Sequence, residues 1–230
     1  METERVDNGY HVEVILFDLD GTLIEPSIDF AVMKERVLDV ATEWGVDTSD
    51  WAEWPVLEIM ARIEKELARK GAEAVRGFAQ SANRAIMKLE IEAACSVRPY
   101  RGVPEMLDEL ANSGYAVGIV TRNCRAAVGQ ILVRHPLRHD VLLTRDDVRH
   151  VKPDPRHLQE ALEQMGMHGR SALMCGDHPM DVMAGQNIGA ITAGVLRPGV
   201  TPGYWSEVRP DLILEYVTDL PRYLAPRGPG

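Results

Sequence analysis

The chain is short of cysteine, of long apolar runs and of basic charge, and each shortage removes a class of function. Cys95, Cys124 and Cys175 are its only cysteines in 230 residues, and no two are spaced as C-x-x-C. That spacing argues against a disulfide framework and for a reducing compartment. Each cysteine is expected to be small buried apolar filler. No apolar segment is long enough to span a bilayer, and the charged Met1-Glu2-Thr3-Glu4-Arg5 leads into no signal-type segment. A cytoplasmic protein without a membrane partner is expected. Lys and Arg number 25 against 35 Asp and Glu, a formal net charge of −10. The basic footprint of a nucleic-acid binder is therefore missing. A phosphate substrate is not excluded, because a bound divalent cation reverses the local sign. No internal repeat or low-complexity segment is present.

What is present is an ordinary globular composition, 45% hydrophobic and 26% charged, with chain enough for a large domain or a domain plus insert. Its most informative stretch is Asp18-Leu19-Asp20-Gly21-Thr22. The apolar run from Val12 to Phe17 reads as a buried strand that delivers two carboxylates into a glycine turn. Such a pair repels itself unless a cation or a shared proton lies between them.

From about residue 98 the pattern alternates. Tyr115–Val120, Val141–Leu143, Ala172–Cys175 and Ala190–Val195 read as strands, with Asp211–Leu214 an edge strand. Helices are predicted from near Gly102, over Pro155–Met165 and over Pro179–Gln186. This implies βαβ units, a doubly wound Rossmann-like parallel α/β sheet, and ligands at the carboxyl ends of its strands. Asp18, Thr121 and Asp177 all fall at such ends. Residues 25–96 break the alternation and read as an all-helical insert. One helix carries Phe30, Met33, Val37, Val40, Ala41 and Trp44 on one face. A second runs from near Trp54 to Lys70 and a third from about Glu73 to Ala94, with Phe78, Ala82, Ile86 and Leu89 inward. The division is thus residues 1–24 with 97–230 as core and 25–96 as insert. Trp44, Trp51 and Trp54 are expected to pack rather than stack on a ligand, and Ala225–Gly230 to be a loose tail.

The residue types suit phosphoryl transfer. A phosphate monoester repels an anionic nucleophile, and magnesium bridging hard oxygen ligands relieves that repulsion. Asp18 can then attack phosphorus and form an aspartyl-phosphate. Asp20 can protonate the leaving group and later deprotonate water. Thr121 and Lys152 offer a hydroxyl and a positive charge to the phosphoryl oxygens. Asp177 and Asp181, four apart at the start of a helix, can face one site. Asp177 is expected to ligate metal directly and Asp181 to orient a water or Lys152. His135 and His139 are not read as a metal pair, since Pro136 disturbs their spacing and a third ligand is missing.

Asp18 to Thr22, Thr121, Lys152 within Lys-Pro-Asp-Pro, and Gly176-Asp177 with Asp181 resemble, in order, the four motifs of the haloacid dehalogenase superfamily of phosphohydrolases. The resemblance spans roughly residues 11–24 and 98–215. A helical insert just after the first motif is similar to the phosphoglycolate phosphatase-like branch, where it forms a cap over the site. The resemblance implies magnesium held by Asp18, by the backbone carbonyl of Asp20 and by Asp177. Asp20 itself points to phosphate rather than halide chemistry, since dehalogenases proper lack it. Arg122 and Asn123 follow Thr121 where Asn usually comes first, and His178 stands where Ser is common. These are expected to line the mouth, so Arg122 and Asn123 join Thr121 and Lys152 as substrate-binding candidates. The implied activity is hydrolysis of a small phosphorylated metabolite by a monomer or homodimer. Phosphotransfer to a second sugar, as in a phosphomutase, is the alternative, and a non-catalytic binding module a remote one.

Overall fold

The apolar run ending at Asp18 forms a strand, β1 (Val14–Phe17), with every residue buried. The structure is a computed structural model and describes residues 9–26, 30–51, 56–167, 171–197 and 199–226. Three helices follow β1: α1 (Phe30–Glu43), α2 (Val56–Ala68) and α3 (Ala72–Ala93). The chain then alternates through α4 (Val103–Asn112), β2 (Ala116–Val120), α5 (Arg125–Arg134), β3 (Val141–Leu143) and α6 (Arg156–Gln164). It continues with β4 (Ala172–Gly176), α7 (Pro179–Asn187), β5 (Ile191–Val195) and β6 (Leu212–Leu214). The six strands form one sheet in the order β3-β2-β1-β4-β5-β6, parallel at every pairing. The fold is the doubly wound α/β arrangement expected, and β6 is an edge strand as expected.

Alternation along β1 divides the core. Val14 and Leu16 pack with Val120, Met174, Leu158 and Leu162 of α6 and Ala184 of α7, while Ile15 and Phe17 point to the other face. The helix α5 lacked a sequence signal. Ala127, Val128 and Ile131 are its buried positions, and Val133 is 84% exposed, so its apolar stripe is narrow. Its start is capped by Cys124, whose Sγ accepts from Ala127 N at 3.4 Å.

The chain divides into two compact units, with the breaks after Pro26 and before Ser96. In the helical unit, Val37, Val40 and Ala41 of α1 are buried with Ile59, Ile63 and Leu67 of α2 and Phe78 and Ala82 of α3. Trp44 and Trp51 pack against that cluster, the packing role expected of them. Trp54, the side chain of Phe30, Met1–Arg5 and the terminal residues 227–230 lie outside the described residues.

Two expectations are corrected. Cys95 is exposed, whereas Cys124 and Cys175 are buried; it follows the end of α3, beyond the packed face. Ala225 is not loose: its carbonyl accepts from Tyr115 Oη at 2.6 Å and its N donates to Tyr10 O at 3.0 Å. No helix among the described residues is long and apolar enough to cross a membrane.

Candidate active site

Strand β1 lies between β2 and β4, and the chain leaves it in opposite directions on the two sides. That reversal opens a crevice at the carboxyl ends of the three strands. Asp18 follows β1, Thr121 follows β2 and Asp177 follows β4, so the sheet itself gathers them. Their backbones extend the ladder, with Asp18 N donating to Cys175 O and Thr121 N to Leu143 O, both at 2.9 Å. Beyond Asp18 the chain doubles back: Leu19 O accepts from Leu23 N at 2.9 Å and Ile24 N at 3.0 Å. Gly21 has φ +83°, and a Cβ there would overlap the Asp177 carboxylate. Only glycine fits that turn.

Lys152 enters from the segment between β3 and α6. Its ammonium lies 2.6 Å from Asp18 Oδ1 and 2.7 Å from Asp181 Oδ1, with the side chain 1% exposed. Burial alone would lower its pKa, but the charges and hydrogen bonds of the two carboxylates outweigh that and raise it. Asp181 also accepts from His178 N at 3.1 Å through Oδ2. It thereby joins a reciprocal cap with His178, whose Nδ1 accepts from Met180 N at 3.2 Å. His178 is thus the N-cap of α7, and burial, then the charges of Arg197 and Arg122, push its pKa down to about 4.

Asp20 is held from β2. Asn123 Nδ2 donates to its Oδ2 at 3.1 Å and its Oδ1 at 3.3 Å, and Thr121 Oγ1 lies 3.5 Å from Oδ2. Asn123 is itself buried, with Oδ1 accepting from Cys124 N at 2.8 Å. It therefore faces Asp20 rather than an open mouth. Arg122 is half-buried beside α7, its Nη1 3.0 Å from Met180 Sδ. His139 turns Nδ1 to Leu137 O at 2.7 Å.

Three residues near the centre carried no role in the sequence. Thr22 Oγ1 donates to Asp177 Oδ1 at 3.3 Å; its place in the first motif was the available signal. Arg197 Nε lies 3.2 Å from Asp177 Oδ2; its position just past β5, at a carboxyl end, could have marked it. His157 Nδ1 accepts from Lys152 N at 3.3 Å and sits fully buried on α6, where a helical stripe gives no hint of it.

Asp18, Asp177 and Asp181 each bring a carboxylate oxygen within 4.8 Å of the others. Burial, then the charges of Asp18 and Asp181, push the Asp177 carboxyl up to about 8. Burial likewise raises Asp18 to about 6 against the pull of Lys152. In both, burial is the larger cause; neighbouring carboxylates add to it and the nearby cations oppose it. Hard carboxylate oxygens in that arrangement suit a divalent cation. Asp181 is committed through both oxygens to Lys152 and His178. Among the described residues, by contrast, Asp177 meets only a long hydrogen bond from Thr22 and the unaligned Nε of Arg197, and Lys152 takes only Oδ1 of Asp18.

Comparison with known proteins agrees with this geometry. The profile of the haloacid dehalogenase-like hydrolases matches residues 15–195. A pyrophosphatase, PpaX, of Bacillus velezensis is 34% identical over 214 residues, covering 91% of this chain and 94% of its own. A PpaX of Bacillus cereus is 41% identical over 126 residues, 54% of this chain and 58% of its own. The fold is shared with a hydrolase from Pseudomonas syringae (TM-score 0.68, 22% identity, 92% and 97% of the chains covered). A HAD phosphatase from Thermococcus onnurineus also shares it (TM-score 0.59, 20% identity, 91% and 96% covered). With an aspartate pair after β1, a buried lysine bridging to the second acidic pair, and a profile match across most of its length, the chain belongs to the haloacid dehalogenase-like hydrolases.

Proposed function

We propose that this protein is a magnesium-dependent phosphatase of small phosphorylated metabolites that works through an aspartyl-phosphate on Asp18. The observation that carries the reading is the Lys152 ammonium seated between Asp18, just past β1, and Asp181, in the first turn of α7. A buried lysine shared by two carboxylates costs desolvation, and a phosphoryl group is the ligand for which that arrangement is suited. Asp18 attacks phosphorus as the bond to the leaving oxygen breaks. Asp20 gives that oxygen a proton, then takes one from the water that hydrolyses the aspartyl-phosphate. Thr121 Oγ1 and Lys152 Nζ meet the phosphoryl oxygens as charge develops. Bound magnesium, held by Asp18 and Asp177, would supply the positive charge that lets two anions approach.

The helical insertion between β1 and α4 is proposed as the cap domain of such enzymes. The similarity to PpaX of Bacillus velezensis places pyrophosphate first among substrates to try, beside phosphoglycolate and sugar phosphates. The test is phosphate release across that panel with magnesium or with EDTA, for wild type and Asp18→Asn. Magnesium-dependent release lost in Asp18→Asn supports the reading, and transfer of phosphate to an added sugar in place of water overturns hydrolysis. No release from any compound sinks it.

A further inference from the structure

We propose that Arg197 recognises a second anionic group on the substrate, beyond the phosphoryl group transferred; inorganic pyrophosphate is the simplest such compound. The inference rests on the phosphatase reading above and deepens it. Arg197 stands just past β5, the neighbour of β4, and so on the same rim as Asp177. An arginine present only to neutralise Asp177 would present its fork and make two aligned hydrogen bonds. Here Nε approaches Asp177 Oδ2 to 3.2 Å, yet that buried Nε has no hydrogen-bond partner among the described residues. Thr22 already donates to the other oxygen of Asp177.

The guanidinium is nevertheless held in place. Its carbon lies 5.7 Å from the centre of the Tyr204 ring, and Nη2 is 3.4 Å from Tyr204 Oη. Cation–π contact fixes its plane without consuming its charge. The side chain remains 24% exposed, so it is reachable from solvent beside Asp177. Lys152, by contrast, is enclosed between Asp18 and Asp181 and has no reach for a further anion. A preorganised cation with unused donors beside the reacting centre suits a phosphate or carboxylate attached to the leaving group.

With pyrophosphate the chemistry balances without a further reactant. Asp18 bonds to one phosphorus, the P–O–P bridge breaks, and one phosphate departs, its charge met by Arg197. Water then cleaves the aspartyl-phosphate to give the second phosphate.

The experiment compares pyrophosphate with p-nitrophenyl phosphate, whose leaving group has no second anionic group, in wild type, Arg197→Gln and Arg197→Lys. Arg197→Gln is expected to lower kcat/KM for pyrophosphate by about 10- to 100-fold, as for loss of a hydrogen bond to a charged group. Turnover of p-nitrophenyl phosphate, which also reports that the variant is folded, should fall by a smaller factor, so that the ratio of the two kcat/KM values shifts by about tenfold or more. Arg197→Lys should recover part of the loss. As inhibitors of p-nitrophenyl phosphate hydrolysis, methylenediphosphonate should weaken in Arg197→Gln and methylphosphonate should not. Equal losses on both substrates would assign Arg197 to support of Asp177 and overturn the proposal, as would no loss on either. Wild-type activity on p-nitrophenyl phosphate but not on pyrophosphate would overturn the substrate class while leaving the phosphatase reading intact. Activity on neither would sink both.

Discussion

Asn123 donates its side-chain amide to both carboxylate oxygens of Asp20, at 3.1 and 3.3 Å, from a buried position two residues past Thr121. The contact fixes the plane of the carboxyl group proposed to move the proton. Asn123→Ala should therefore lower kcat by about tenfold or more for alkyl phosphates, whose leaving oxygen needs a proton. It should act much less on p-nitrophenyl phosphate, whose leaving group needs none. Steady-state rates on the two substrates decide, and equal losses on both would show that Asn123 does not act through Asp20.

Lys152 joins Asp18 and Asp181 in a buried ion triad. Removing the cation leaves two carboxylates buried without it, so Lys152→Met should cost roughly 3–5 kcal/mol in denaturant unfolding. The double variant Lys152→Met with Asp181→Asn should regain part of that stability without regaining activity. A double variant no more stable than the single one would place the cost elsewhere.

His157 gives a stability dependence on pH with a defined sign. Burial, then the charges of Lys152 and Arg122, push its pKa down to about 3, from about 6.5 in an unfolded chain. Between those values the unfolded chain binds a proton that the folded one refuses. Its contribution is fully present above pH 6.5 and is lost as pH falls toward 3, by up to about 1.4 kcal/mol per pH unit. In His157→Asn, whose amide oxygen can still accept from Lys152 N, unfolding free energy should fall less steeply over pH 6.5 to 4. Identical slopes in the two proteins would refute this.

Gly21 and Gly114 both have φ +83°, but only at Gly21 would a Cβ meet another group, the Asp177 carboxylate; at Gly114 nothing lies within 4 Å. Alanine at either should cost about 1–2 kcal/mol of stability for the left-handed backbone. Only Gly21→Ala should also reduce kcat/KM, by at least about a hundredfold, because it displaces Asp177. Thermal melts and phosphate release on both variants separate the two effects.

The alternation of apolar runs and helical patterns was enough to derive a parallel α/β sheet with Asp18, Thr121 and Asp177 at strand ends. Those signals are local: a period of 2 or 3.6 is written into a few consecutive residues. The helix α5 escaped because a narrow apolar stripe ending in the exposed Val133 leaves little periodicity to read.

Other relationships exist only in the folded chain. Lys152 meets Asp18 across 134 residues of sequence, Asn123 reaches Asp20 across 103, and Arg197 arrives beside Asp177 from the next strand. The sequence by itself determined which residue types stand at the strand ends and hence the class of chemistry. Tertiary structure decided which carboxylate each cation serves, which asparagine holds Asp20, and that His157 is buried uncharged. The reason is that strand order and side-chain packing set those pairings, and neither is encoded in any one stretch of neighbouring residues.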